Sequence, residues 1–144
     1  MKRLVLALIV SLGVASGVSS APPAAAPPHV LIVHPGNPVS SLGAAQVNRM
    51  FLKQTTQWPN GWTVAPVDLP VGNSVRESFS QAVLGRSARS IKSHWSQQIF
   101  SGRGVPPPER ATEGDVVRFV LGNRGAIGYV APANAGGAKI LQVK

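Results

Sequence analysis

The sequence predicts an α/β domain in which a mixed sheet of about four strands is flanked by about four helices. Short runs of β-branched residues lie near the start and the end of the domain, and apolar residues at helical spacing fill its middle. Turns rich in glycine and proline separate these segments. Together they give the element order β-α-β-α-α-α-β-β in one domain, because 144 residues are too few for two ordinary ones.

The first half of the domain predicts two strands and one helix. The run HVLIVH, from His29 to His34, is typical of a buried strand. A turn-rich loop follows, and then apolar residues at helical spacing predict a helix from about Leu42 to Leu52. Residues Trp62 to Leu69 alternate as a strand would, and Pro66 places that strand near the sheet edge.

The second half predicts three helices and two strands. The helices begin at Ser74, at Ser90 and near Thr112, and they end at Gly85, Gly102 and Gly122. Three consecutive prolines, Pro106 to Pro108, force a loop between the last two helices. The strands are expected at Ala126–Ala131 and Lys139–Val143.

The N-terminus has the layout of a secretory signal peptide. A basic start precedes the apolar run from Leu4 to Val10, and small residues allow cleavage before Ala21. We therefore assign residues 1–20 to a signal peptide, 21–28 to a Pro/Ala-rich tether and 29–144 to the domain. The chain has no cysteine to carry a lipid, and it is expected to be periplasmic or secreted, not an integral membrane protein after cleavage.

The chain is strongly basic. Its formal net charge of +9 falls to +7 when Lys2 and Arg3 leave with the signal peptide. Such a charge favours anionic partners, including phosphorylated solutes, envelope polymers and membrane surfaces. Export argues against nucleic acid as the partner.

The residues that catalysis requires are few. No G-x-S-x-G, H-E-x-x-H or Walker motif is present, and the five carboxylates are scattered along the chain. The three histidines show no metal-ligand spacing. The sequence therefore predicts a non-enzymatic protein without a metal or cofactor.

The stretch LPVGNSVRESF, Leu69 to Phe79, allows two interpretations. Ser74 and Glu77 have the spacing of a capping box, which would satisfy the helix start internally. Alternatively, the free amides of the first turn, with Arg76 beside them, could hold an anion. Both interpretations stay open at this level.

Three ordered segments resemble the phosphate-type substrate-binding proteins of ABC transporters. They are AAQVNRMFLKQTTQWPNGWTVAPVDL, VGNSVRESF, which is similar to the family's G-S-G-T-R-x-x-F, and NRGAIGYV, which is similar to its G-A-I-G-Y-V. Their order and spacing agree from roughly Val30 to Val130. The resemblance implies a single lobe of the type II periplasmic binding protein fold.

The resemblance also implies an oxyanion site at the start of the middle helix. Asn73 corresponds to the family's serine, Ser74 to its glycine, Val75 to its threonine and Arg76 to its arginine. The implied ligand is phosphate or a similar oxyanion, and the implied partner is an ABC permease or another envelope protein. Val75 lacks the hydroxyl of the family's threonine, so the alternative is an envelope interaction module that has lost small-anion binding and docks on a protein or an anionic polymer.

Overall fold

The computed structural model of the chain describes residues 28–144. The predicted signal peptide and all but the last residue of the predicted tether lie outside these residues. The described part forms one mixed sheet of five strands, namely β1 (Val30–Val33), β2 (Ser41–Leu42), β3 (Ala65–Pro66), β4 (Ala126–Val130) and β5 (Lys139–Val143). Its helices are α1 (Ala44–Phe51), α2 (Ser74–Phe79), α3 (Ala88–Phe100) and α4 (Glu113–Leu121).

The sheet is built around β1. The strand order is β2-β5-β1-β4-β3, with β1 antiparallel to both β4 and β5. The outer pairs, β2 with β5 and β3 with β4, are parallel. The α/β class and the mixed sheet predicted from the sequence are therefore confirmed.

Each face of the sheet packs against different helices. On one face, Tyr129 of β4 stacks on Phe79 of α2, with ring centroids 4.0 Å apart, and Phe51 of α1 packs against both rings. On the other face, Gly128 lies under α4, where a Cβ would come within 2.8 Å of Val116. The missing side chain thus lets α4 approach the strand closely.

The edges of the sheet differ from the sequence prediction. The predicted strand from Trp62 to Leu69 is reduced to the two residues of β3, because the flanking residues pair elsewhere: Thr63 bridges Gln57, and Asp68 bridges Glu109. Conversely, Ser41 and Leu42 pair with β5 as β2, although the turn-rich sequence around them predicts a loop. The sheet therefore has five strands, where about four were expected.

Two helix starts also differ. The middle helix is capped by Asn73, not Ser74, and α3 is capped by Ser87, three residues before the predicted Ser90. The start of α4 is as predicted, with the Thr112 hydroxyl accepting from the Asp115 amide. The middle helix continues past α2 as a π-helical turn, Ser80–Leu84, and ends at Gly85 with a positive φ of 68°.

Among the helices of residues 28–144, none combines the length and apolar character that crossing a bilayer requires.

Candidate functional site

The predicted anion site lies where the chain turns from β3 into α2. The Asn73 amide donates to Pro70 O at 3.1 Å, and Gly72 adopts a φ of 97° in the same turn. Asn73 closes this turn as the N-cap of α2, and Ser74 to Arg76 form the first turn of that helix. Ser74 is exposed at its outer side, whereas Arg76 is buried.

The amides of this turn are mostly satisfied by the chain itself. The side-chain oxygen of Asn73 accepts from the amides of Val75 at 2.9 Å and Arg76 at 3.3 Å. Of the four amides from residue 73 to 76, only that of Ser74 lacks an acceptor within the described residues. Asn73 thus occupies the position that an oxyanion would need at this helix start.

The capping box between Ser74 and Glu77 does not form. With Asn73 as the N-cap, the third residue after the cap is Arg76, so Glu77 is one residue too far along the helix to reach back. The Glu77 carboxylate instead accepts from the Gln81 side chain at 2.9 Å and the Ala88 amide at 3.1 Å. These hydrogen bonds lower its pKa and tie α2 to the start of α3.

Arg76 is held on three sides by groups of the chain. One guanidinium nitrogen, Nη1, donates to Leu69 O at 2.6 Å and to Glu109 Oε1 at 2.8 Å. The other, Nη2, lies 3.8 Å from Asp68 Oδ2. The residue is only 4% exposed. Its charge is therefore compensated by two carboxylates and a carbonyl before any ligand arrives.

Tyr129 connects this ion-pair cluster to the sheet. Its hydroxyl donates to Asp68 Oδ1 at 2.7 Å and accepts from the Leu69 amide at 3.1 Å. Burial raises the pKa of the Asp68 carboxyl, and Arg76 and the Tyr129 hydroxyl partly offset that rise. Burial and the nearby Asp68 likewise raise the pKa of Tyr129.

A cavity of about 130 Å³ opens beside the ion-pair cluster. Asp68, Arg76 and Glu109 line one side of it. The other side is formed by α3 and the proline loop, namely by Lys92, Trp95, Ser96, Ile99, Pro106 and Pro107. The space is smaller than an ordinary ligand pocket. Of its charged groups, Arg76 pairs with Asp68 and Glu109.

Sequence reasoning missed the carboxylates and the tyrosine of this cluster. Asp68 and Glu109 lie 41 residues apart in the sequence, and no motif links them. A short parallel bridge joins them, in which the Asp68 amide donates to Pro108 O and the Arg110 amide donates to Asp68 O. The sequence offers one signal. A buried arginine needs an acidic partner, and each of the five acids in this chain is therefore a candidate for that role.

The remaining titratable residues form no metal site within residues 28–144. The His29 ring is hydrogen-bonded to the Ser78 hydroxyl at 2.8 Å, and the His34 ring accepts from the Gly36 amide at 2.9 Å. Asp115 pairs with Arg118 on the surface of α4. Each of these groups has a local structural partner.

No family model and no curated protein matches the sequence. Solved structures do match the fold. An ABC-type phosphate transport receptor from Vibrio cholerae superposes with a TM-score of 0.63 at 18% identity, covering 80% of this chain and 45% of that one. A putative phosphate ABC transporter substrate-binding protein with bound phosphate from Clostridium perfringens gives a TM-score of 0.63 at 22% identity, covering 80% and 44%.

A third structure, PstS from Borrelia burgdorferi, gives a TM-score of 0.62 at 11% identity and covers 81% of this chain and 47% of that one. The chain therefore spans less than half the length of each of these three proteins. The fold expected from the resemblance is confirmed: residues 28–144 adopt the fold of part of a phosphate ABC transporter substrate-binding protein.

Proposed function

We propose that this chain is a non-catalytic, exported module of the substrate-binding-protein type that docks on an anionic component of the cell envelope. The fold neighbours are named as transport receptors and substrate-binding proteins, which supports binding over catalysis. The predicted signal peptide supports export to the periplasm or beyond. The mature charge of +7 supports an anionic partner.

The observation that carries this proposal is the internal satisfaction of the predicted anion site. Arg76 pairs with Asp68 and Glu109, and the Asn73 side chain accepts from two of the four amides. An anion would have to displace these groups, and each displacement costs free energy. The geometry therefore favours docking through the basic surface over capture of a small solute.

A retention assay on washed envelope fragments tests docking. The mature protein is incubated with the fragments, and the bound fraction is measured at low and at high salt. Docking on an anionic component predicts retention at low salt that salt releases, because exposed charges are screened. Absence of retention at low salt as well as high would remove the proposal.

Oxyanion binding at Asn73, Ser74, Val75 and Arg76 is the second candidate. One fold neighbour is described with bound phosphate. In this chain the exposed Ser74 presents a hydroxyl at the helix start, and its amide has no acceptor within residues 28–144. Such a site would be open to water and weak. It would serve an ABC permease by presenting phosphate or a similar oxyanion.

Calorimetric titration with phosphate and with sulfate separates the two candidates. The oxyanion candidate requires saturable heat that weakens in Arg76→Ala. Because removal of Arg76 also perturbs the fold, the exposed Ser74→Ala variant is titrated in parallel. If neither anion gives heat at millimolar concentration, the oxyanion candidate is removed and docking remains as the proposed function.

A further inference from the structure

We propose that the outer side of α3 binds an anionic lipid bilayer. This inference rests on the proposed docking function and names its partner class. The surface, called the α3 surface below, consists of Arg86, just before the helix, and of Arg89 and Phe100. All three residues are exposed.

The segment around α3 carries cations without anions. From residue 78 to residue 108 there is no Asp or Glu, whereas Arg86, Arg89, Lys92 and Arg103 are all present. Within residues 28–144, none of these four cations takes part in an ion pair. Lys92 lines the cavity that also contains Asp68 and Glu109, whereas Arg86 and Arg89 do not. The charge of these two arginines is therefore available to a negatively charged partner.

Helical geometry places a cation and the most exposed aromatic side chain on one stripe. Arg89, Ser93, Ser96 and Phe100 are spaced at four, three and four residues, so they share one side of the helix. Arg86 lines a shallow groove together with Ser93 and other residues of α3. At ~1.5 Å per residue, Arg89 and Phe100 are about 16 Å apart along the axis, so one flat surface can contact both.

The opposite side of α3 fixes this orientation. Ile91 and Trp95 are buried against the rest of the domain. The helix cannot rotate to hide its outer stripe without exposing these residues. The α3 surface therefore faces outward in the folded domain.

The apolar end of the surface projects from the domain. Phe100 is 96% exposed and Ile99 is 54% exposed at the last turn of α3, and Val105 in the following loop is also exposed. Side chains that protrude in this way suit a deformable partner better than a rigid one that must supply matching sockets. Aromatic and aliphatic side chains next to cations are the composition with which interfacial helices bind anionic bilayers.

Vesicle cosedimentation tests the proposal. The mature protein is mixed with vesicles of equal parts phosphatidylglycerol and phosphatidylcholine, and separately with vesicles of phosphatidylcholine alone, at low salt. We expect partitioning to be at least about tenfold stronger on the anionic vesicles, because each cation near such a surface adds attraction. Equal binding to both vesicles would overturn the proposal.

Two variants with matched controls locate the binding surface. The double variant Arg86→Gln/Arg89→Gln should weaken partitioning about tenfold or more. The control Arg49→Gln/Arg124→Gln removes the same charge from exposed positions outside α3, and it should change partitioning by no more than about twofold because of screening. Equal losses in the two variants would overturn the proposal.

The apolar end is tested in the same way. Phe100→Ser should weaken partitioning about tenfold, since its ring no longer enters the interface. Ile140→Ser, which replaces an exposed apolar residue of β5, should leave it unchanged. Loss of lipid binding in both would count against a role for α3.

The outcomes separate this inference from the proposed function. Retention on envelope fragments without binding to anionic vesicles would overturn the lipid inference and leave docking intact, whereas failure of both would remove both. Sedimentation equilibrium is run without lipid on the same samples. Self-association that Phe100→Ser abolishes, together with no vesicle binding, would assign the surface to a second copy of the chain and overturn the proposal.

Discussion

Arg76 and Arg89 are thirteen residues apart in the sequence, yet their surroundings are opposite. Arg76 is buried in α2 and pairs with two carboxylates and a backbone carbonyl. Arg89 is exposed on α3, in a segment that contains no acid. The comparison shows that charge alone does not identify a binding site in a basic protein: the cation nearest the predicted anion site is bound by the chain itself, and the unpaired cations lie elsewhere.

Among the variants that test this comparison, replacement of Arg76 should reduce the stability of the domain most. Arg76→Ala leaves Asp68 and Glu109 without their cation, and we expect a loss of about 3 kcal/mol in the free energy of unfolding, at the low end for buried pairs because Glu109 is half-exposed. Urea denaturation measures this loss. The matched variant Arg89→Ala should change stability by less than about 0.5 kcal/mol. Similar effects of the two variants would break the comparison.

Removal of the Tyr129 hydroxyl is expected to have the next largest effect. Tyr129→Phe keeps the stacking on Phe79 but leaves the Asp68 carboxylate and the Leu69 amide without a buried partner. We expect stability to fall by about 1 to 3 kcal/mol in urea denaturation. A change below about 0.5 kcal/mol would show that water replaces the hydroxyl and that the cluster is open to solvent.

The helix cap gives a smaller and more local test. Asn73→Ala removes the acceptor for two amides and should destabilise the domain by about 1 kcal/mol. Ser74→Ala, at the position where the sequence predicts the cap, should be nearly neutral. The opposite ranking in thermal or urea denaturation would restore Ser74 as the cap and would free the Asn73 side chain.

The smallest of the expected effects is the contribution of the buried Asp68 to the pH dependence of stability. Its pKa is raised in the folded state, so the folded chain holds the proton to higher pH than the unfolded chain does. This group therefore makes stability fall as pH rises from its ordinary value of 3.8 through its raised pKa. The stability of the wild type minus that of Asp68→Asn should decrease over that window and level off above it, and an increase would contradict the assignment.

Much of the fold could be predicted because its signals are local. The apolar β-branched run of β1, the strand β5 and the Thr112 cap of α4 depend on nearby residues, and the structure confirms each. β2 could not be predicted, because its pairing with β5 joins residues about 100 positions apart and only two residues take part. Short parallel pairs of this kind leave no periodicity to detect.

The candidate site was only partly predictable for the same reason. The segment from Asn73 to Arg76 can be located from its own residues. Whether Arg76 is free to bind an anion depends on the cluster that contains Glu109 and Tyr129, which lie 33 and 53 residues after Arg76 in the sequence. The choice between Asn73 and Ser74 as the cap depends on where the turn after Pro70 ends, a difference of one residue. Helix propensities do not distinguish cap positions that differ by one residue.

The most direct test of the account is an amide NMR titration of the mature protein with inorganic phosphate. The amides of Val75 and Arg76 are already held by the Asn73 side chain, so the account predicts no saturable shift at these two resonances up to millimolar phosphate. Saturable shifts at both amides, with one dissociation constant below the millimolar range, would contradict it and would establish the start of α2 as an oxyanion site.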